Sequence, residues 1–170
     1  MGRNVEIKAR VGDRRALENR VRQIADGAGE LIEQEDHFFN CATGRLKLRC
    51  FSGDRGELIF YRRDDGSGPT QSEFIKSPTA NPRSLLEALT AAHGVAGVVR
   101  KRRTLYMVGQ TRVHLDEVEE LGEFLELEVV LRPRQTLSDG ERVAQELMAR
   151  LGVSEDELVP VAYVDLLRRI

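Results

Sequence analysis

The chain is predicted to be an α+β protein of eight short strands, read as antiparallel, with three amphipathic helices set among them. Strand-like segments recur roughly at 3–11, 33–41, 45–52, 56–63, 71–77, 97–108, 111–118 and 123–132, most of them separated by turn signals. Three other stretches repeat apolar residues at helical spacing and carry start or stop signals. A third observation concerns charge. Glu6 and Lys8, Lys47 and Arg49, and Glu126 and Glu128 stand at alternate positions with apolar residues between them. Alternate residues of a strand share a face, so each of these strands has one charged and one apolar side.

The elements follow in order. Asn4-Val5-Glu6-Ile7-Lys8 opens the chain, and Asp13 can then cap a helix whose Ala16, Leu17, Val21, Ile24 and Ala28 repeat on one side. Thr43-Gly44 and Gly53-Asp54 divide the next three strands, and Gly66-Ser67-Gly68-Pro69 precedes the fifth. A second helix follows Pro82, carries Leu85, Leu86, Leu89 and Ala92, and ends at Gly94. Gly109-Gln110 separates the sixth and seventh strands. The third helix starts near Ser138-Asp139, carries Val143, Ala144, Leu147 and Leu151, and stops at Gly152. Ser154 caps a short turn, and Ala162-Tyr163-Val164-Asp165-Leu166-Leu167 closes the chain.

Each helix has one apolar stripe that needs an apolar partner. The strands supply it through Val5, Ile7 and Ala9, through Leu46 and Leu48, and through Leu125, Leu127 and Val129. The polar side then either meets solvent or lines the inside of a curled sheet. Alternation alone fits a flat sheet and a closed barrel equally. Segregation by sign favours closure, because a solvated face normally intersperses acids and bases.

Charged residues make up 32% of the 170 residues, yet 26 bases against 28 acids leave a formal charge of only -2. That balance argues against a nucleic-acid coat or a membrane-surface protein. No apolar stretch approaches the roughly 20 residues that span a bilayer. The N-terminus turns strand-like within a few residues, so no signal peptide is expected and the location is read as cytoplasmic. Cys41 and Cys50 fit no metal or redox motif and are expected to be reduced thiols, although a hairpin could bring them together.

Several ordered motifs together resemble the CYTH family, the triphosphate tunnel metalloenzymes. Asn4-Val5-Glu6-Ile7-Lys8 resembles the family signature ExExK, with Asn4 in place of the first Glu. Lys47-Leu48-Arg49 is similar to the family's early basic pair, Tyr61-Arg62 to a later basic position, and Glu73 to the acid of the next strand. Val98 to Tyr106 is similar to the second basic strand. Val113-His114-Leu115-Asp116, Leu121 to Glu128 and Tyr163 to Leu167 resemble the class IV adenylyl cyclase branch.

The resemblance implies a closed eight-stranded antiparallel β-barrel, a tunnel with a polar charged interior and amphipathic helices outside, formed by residues 1–170 as one domain. It implies that Lys8, Lys47, Arg49, Arg62, Lys101, Arg103 and Arg112 bind substrate, and that Glu6, Glu73, Asp116, Glu126 and Glu128 hold Mg²⁺ or Mn²⁺. Lys8, Arg49, Lys101, Glu126 and Glu128 would be catalytic. Asn4 weakens the metal cluster, because an amide oxygen binds a hard cation less strongly than a carboxylate. In Arg100-Lys101-Arg102-Arg103 the family pattern selects Lys101 and Arg103, while alternation alone also allows Arg100 and Arg102 inside. His114 would line the cavity or help position metal; His37 and His93 have no evident partners.

The implied partner is a triphosphate-bearing small molecule: ATP, thiamine triphosphate or inorganic triphosphate, with no nucleic acid and no membrane, and with a homodimer left open. Hydrolysis is the first reading, since it needs only a bound water. Cyclisation of ATP to cyclic AMP and pyrophosphate is the alternative, and a catalytically weak triphosphate-binding module is the second.

Overall fold

A computed structural model describes residues 2–63 and 69–170; Gly66, Ser67 and Gly68 of the expected turn lie outside the described residues. All eight expected strands form: β1 Gly2–Arg10, β2 Glu30–Phe39, β3 Arg45–Phe51, β4 Gly56–Arg63, β5 Thr70–Thr79, β6 Val95–Val108, β7 Thr111–Val118 and β8 Gly122–Val130. They close on themselves in the order β1-β5-β4-β3-β2-β6-β7-β8, each pair antiparallel. Closure removes the sheet edges and leaves every second side chain facing inward. The flat-sheet alternative is thereby excluded.

Helix α1 (Arg14–Ile24) starts where Asp13 accepts a hydrogen bond from the Ala16 amide, and it ends before Ala28. Helix α2 (Pro82–His93) is capped by Asn81, whose carbonyl accepts from the Ser84 amide, and it stops at Gly94 with φ 71°. Helix α3 (Leu137–Leu151) begins slightly earlier than expected. The Thr136 hydroxyl accepts from the Asp139 amide, and the Asp139 carboxylate accepts from the Thr136 amide, a reciprocal cap. A 3₁₀ turn (Glu155–Glu157) after Ser154 leads to a short helix α4 (Tyr163–Leu167). β2 begins at Glu30, earlier than expected, because the long β6 offers it a partner there, Glu30 opposite Leu105.

Two apolar clusters result. The outer one packs Leu17 and Val21 of α1 and Ala144, Leu147, Met148 and Leu151 of α3 over Val5, Ile7, Val113, Leu115, Leu125, Leu127 and Val129. It is the expected union of helix stripes with the apolar strand faces. The second lies inside the barrel, where Phe38, Val99, Val118 and Phe124 meet Tyr163 and Val164 of α4. Inward positions of β2, β6, β7 and β8 thus turn apolar at one end, and the C-terminal helix seals them. Among the described residues no helix is long and apolar enough to cross a membrane. Cys41 and Cys50 are free thiols.

Gly140 lies where α3 rests on β1. A methyl group there would come within 2.6 Å of Leu131 and 2.7 Å of Val5. Alanine favours helices over glycine by about 1 kcal/mol, but overpacking a tight contact costs roughly 1–3 kcal/mol. Gly140→Ala is therefore expected to lower stability in urea unfolding, with an unchanged denaturant slope; a stabilised variant would disprove this close packing.

Candidate active site: the charged interior of the barrel

The charged rows of separate strands converge inside. β1 contributes Asn4, Glu6 and Lys8, β3 Lys47 and Arg49, and β4 Tyr61 and Arg63. β5 adds Ser72, Phe74 and Lys76, β6 adds Lys101 and Arg103, β7 adds His114, and β8 adds Glu126 and Glu128. The cavity measures about 130 Å³, small beside drug-sized sites of roughly 300–1,000 Å³. It suits a compact polar group such as a phosphate chain.

Two aspartates hold the basic rows in place. Asp36 on β2 is 2% exposed and accepts from Lys47 Nζ at 2.8 Å, Arg49 Nε at 2.8 Å and Arg49 Nη2 at 2.9 Å. Asp116 on β7 is fully buried and accepts from Arg103 Nε and Nη2, both at 2.6 Å, and from the Tyr163 hydroxyl at 3.0 Å. Lys101 Nζ lies 3.6 Å from the same carboxylate. Arg103 also donates to Glu126, which lies 3.5 Å from Lys8 Nζ. These fork-shaped pairs fix the guanidinium planes.

Cations outnumber anions here. Lys8, Lys47, Arg49, Arg63, Lys76, Lys101, Arg103 and Arg112 face Glu6, Asp36, Asp116, Glu126 and Glu128; the excess lies with Arg63 and Arg112, which are half-buried, and Lys76, which is exposed. Burial and these neighbours set the protonation of the inner groups. Arg49 and Lys47 hold Asp36 well below the usual carboxylate range despite its burial, and Lys101 and Arg103 do the same to Glu126. Burial, opposed only in part by Asp36, lowers Lys47 to about 8, and burial likewise lowers Lys8 to about 8. Burial, with Arg103 nearby, lowers His114 to about 3, so the imidazole is neutral at ordinary pH.

Glu6 goes the other way. Burial and the nearby Glu128 and Glu126 raise it, and among the described residues it makes no ion pair or hydrogen bond. Beside it Asn4 donates to Glu128 Oε1 at 2.6 Å, while Asn4 Oδ1 is buried without a hydrogen-bond partner. Glu6, Glu128 and the Asn4 side-chain carbonyl oxygen are hard oxygen donors of the kind that could hold a divalent cation. Among the described residues no three acids, histidines or cysteines already stand at ligand spacing.

The CYTH domain family model matches residues 2–163. The chain belongs to the CYTH family. It is 35% identical over 142 residues to adenylate cyclase CyaB of Aeromonas hydrophila, covering 77% of this chain and 70% of that protein. The PH1012 protein of Pyrococcus horikoshii superposes with a TM-score of 0.86 at 23% identity, over 96% of this chain and 98% of that one. HpAC1 of Hippeastrum, described as having a dominant triphosphatase activity, superposes at 0.69 with 16% identity, over 98% and 95% of the two chains.

Within this CYTH barrel most of the expected residues come together: Lys8, Lys47, Arg49, Lys101, Arg103, Glu6, Glu126 and Glu128 all line the cavity. Arg112 sits at one mouth, 3.3 Å from Glu128. Lys101 and Arg103 take the inner side, whereas Arg100 and Arg102 pair outside with Glu35 and with Glu33 and Glu117.

Two expectations are corrected. Arg62 lies on the outer face over the Phe60 ring, and Arg63 takes the inner place, because the inward parity of β4 runs through Ile59 and Tyr61. Glu73 pairs in register with Arg62 and is likewise outside, between the inward Ser72 and Phe74. Asp116 is inside as expected, where its oxygens accept from Arg103 and Tyr163.

Asp36 and Lys76 line the interior without being expected there, and Tyr163 is legible in the sequence only as part of the closing motif. For Asp36 the signal is parity: Gln34, Asp36 and Phe38 alternate opposite the basic pair of β3. For the place of Tyr163 in the cavity no local pattern exists, because a residue outside the barrel strands enters the interior only through tertiary docking.

Asp36→Asn would leave Lys47 and Arg49 buried without their counter-charge. Breaking a buried ion pair typically costs about 3–5 kcal/mol, and urea unfolding should show a loss of that order. A loss below about 1 kcal/mol would remove Asp36 as the anchor of the basic row.

Proposed function

We propose that the chain binds the phosphate chain of a small triphosphate inside the barrel and catalyses its metal-dependent hydrolysis to diphosphate and phosphate. The supporting observation is the convergence of lysine and arginine side chains from five strands on one cavity. Their donors are the groups that bind phosphoryl oxygens, and acids on the same wall are the groups that bind a divalent cation. A triphosphate of roughly −4 charge entering with a divalent metal adds little net charge to that interior.

Arg49 and Arg103 present forks already oriented by Asp36 and Asp116, so they can grip phosphoryl oxygens with little loss of freedom. Lys8, Lys47 and Lys101 act as point charges where negative charge grows in the transition state. Glu6, Glu126, Glu128 and the Asn4 carbonyl would hold Mg²⁺ or Mn²⁺, which polarises a phosphoryl oxygen and lowers the pKa of water. The tight cavity excludes bulk water from the phosphates and leaves an organic group at the mouth.

Cyclisation of ATP is the second reading, favoured by the 35% identity to a protein named adenylate cyclase. It uses the same phosphate clamp with a ribose hydroxyl as nucleophile. Incubation with ATP, thiamine triphosphate and inorganic triphosphate, with Mg²⁺ or Mn²⁺, separates the two: phosphate release marks hydrolysis, pyrophosphate with cyclic AMP marks cyclisation. No turnover of any of the three would refute both.

Glu128→Ala and Arg49→Ala should each lower turnover by about 100-fold or more while circular dichroism stays native. Unchanged rates in both would sink the site assignment.

A pH dependence follows from Lys47. Its folded value of about 8 lies below the ordinary lysine value of 10.5, so between those pH values the unfolded chain binds more protons and stability rises with pH. A bound triphosphate favours the charged lysine. Binding near pH 9 should therefore draw protons from buffer, seen calorimetrically in buffers of different ionisation enthalpy, and Lys47→Met should diminish the uptake.

A further inference from the structure

The wall of the cavity that carries Glu6, Glu126 and Glu128 also holds two buried polar atoms without partners. Asn4 is fully buried and His114 is 5% exposed, yet Asn4 Oδ1 and His114 Nδ1 make no hydrogen bond. Buried polar atoms are nearly always paired, so two such orphans side by side call for an explanation. They flank the same carboxylate. In the antiparallel register Glu128 stands opposite Glu6 on β1 and opposite Arg112 on β7. Asn4 is the next inward residue of β1, and His114 the next inward residue of β7. The chain's other histidines, His37 and His93, do not line this cavity.

The imidazole lies between two carboxylates without bonding to either. Its Nδ1 is 3.9 Å from Glu126 Oε2 and its Nε2 4.0 Å from Glu128 Oε2, both too long for a hydrogen bond. Those oxygens face other donors: Arg103 reaches Glu126, and Arg112 Nη1 lies 3.3 Å from Glu128 Oε2. A histidine that merely filled space would settle onto one of the two acids. The 4.0 Å gap falls instead between the separations of neighbouring and opposite ligands around one ion, roughly 3.0 and 4.2 Å for bonds of about 2.1 Å.

We infer that His114 is a nitrogen ligand of the divalent ion and makes the site select a transition metal over Mg²⁺. This rests on the metal-dependent reading above. Nε2 offers its lone pair beside Glu128, Glu6 and the Asn4 side-chain carbonyl. Nδ1 then carries the proton and directs it at Glu126, the carboxylate–histidine arrangement that fixes tautomer and ring orientation at metal sites. Ligation therefore gives both orphans a partner. The donors stand wider than a finished ligand shell. Glu6 makes no competing hydrogen bond among the described residues, and the Arg112 side chain, 37% exposed, can swing toward solvent. Mg²⁺ prefers oxygen ligands and gives up its waters reluctantly. An imidazole among carboxylates therefore favours Mn²⁺ and, more strongly, Co²⁺.

The test is metal binding to the intact protein, read without turnover. In calorimetric titrations of the protein alone, Co²⁺ should bind about 100-fold more tightly than Mg²⁺, with Mn²⁺ between them. In protein labelled with ¹⁵N-histidine, pulsed EPR of bound Mn²⁺ should show coupling to a histidine nitrogen. His114→Gln replaces that nitrogen with an oxygen donor of similar reach. It should cut the preference for Co²⁺ over Mg²⁺ by about tenfold or more.

A bound Mn²⁺ with no histidine-nitrogen coupling overturns the inference. So does an unchanged ratio of Co²⁺ to Mg²⁺ affinity in folded His114→Gln protein. Should that variant fail to fold, the labelled native protein decides by itself. Both negative outcomes leave the metal-dependent triphosphate reading standing. Absence of any divalent-ion binding, with or without inorganic triphosphate, removes that reading and this one together.

Discussion

Everything in this barrel depends on how its buried cations are held. A closed antiparallel sheet has to send every second side chain inward, and here many of those positions carry charge. Such an interior is stable only if the charges are paired and hydrogen-bonded. Asp36 and Asp116 meet that requirement, each neutralising part of a basic row and fixing an arginine fork. The arginine forks so held line the cavity, which is the arrangement the proposed anion binding would use. The same residues that make the empty barrel tolerable therefore orient its ligand groups.

The two apolar clusters divide the remaining work. The outer one, between α1, α3 and the strands, provides hydrophobic burial that the charged interior cannot. The inner one at α4 costs the channel one of its openings and in return keeps water from the deepest lysines. Dry surroundings strengthen electrostatic interactions and lower the lysine pKa values. Stability and ligand chemistry are thus separated by sheet face: helices outside, charges inside, one apolar stopper between the interior and solvent.

Much of this was legible in the chain. The strands and helices carry strong periodic and capping signals, and Glu6, Lys8, Lys47, Arg49, Glu126 and Glu128 stand out because alternation places them together. Arg62 and Glu73 were misplaced by a single position. In Tyr61-Arg62-Arg63 and Ser72-Glu73-Phe74 both parities offer a polar residue, and one step along a strand moves a side chain from the inside to the outside. Asp36 lies in a run of polar residues where alternation is blurred, so its pairing partner in β3 had to identify it.

By itself the sequence determined which segments are strands and helices, which face of each is apolar, and which charged residues lie in paired rows, because those properties depend on local periodicity. Only the tertiary structure decided that the sheet closes, that Asp116 accepts from Arg103, and that Tyr163 fills one end of the barrel interior. Those outcomes depend on contacts between residues far apart in the chain, such as Tyr163 with Asp116 and Lys8 with Val161. No local pattern encodes a contact whose geometry exists only after the barrel has closed.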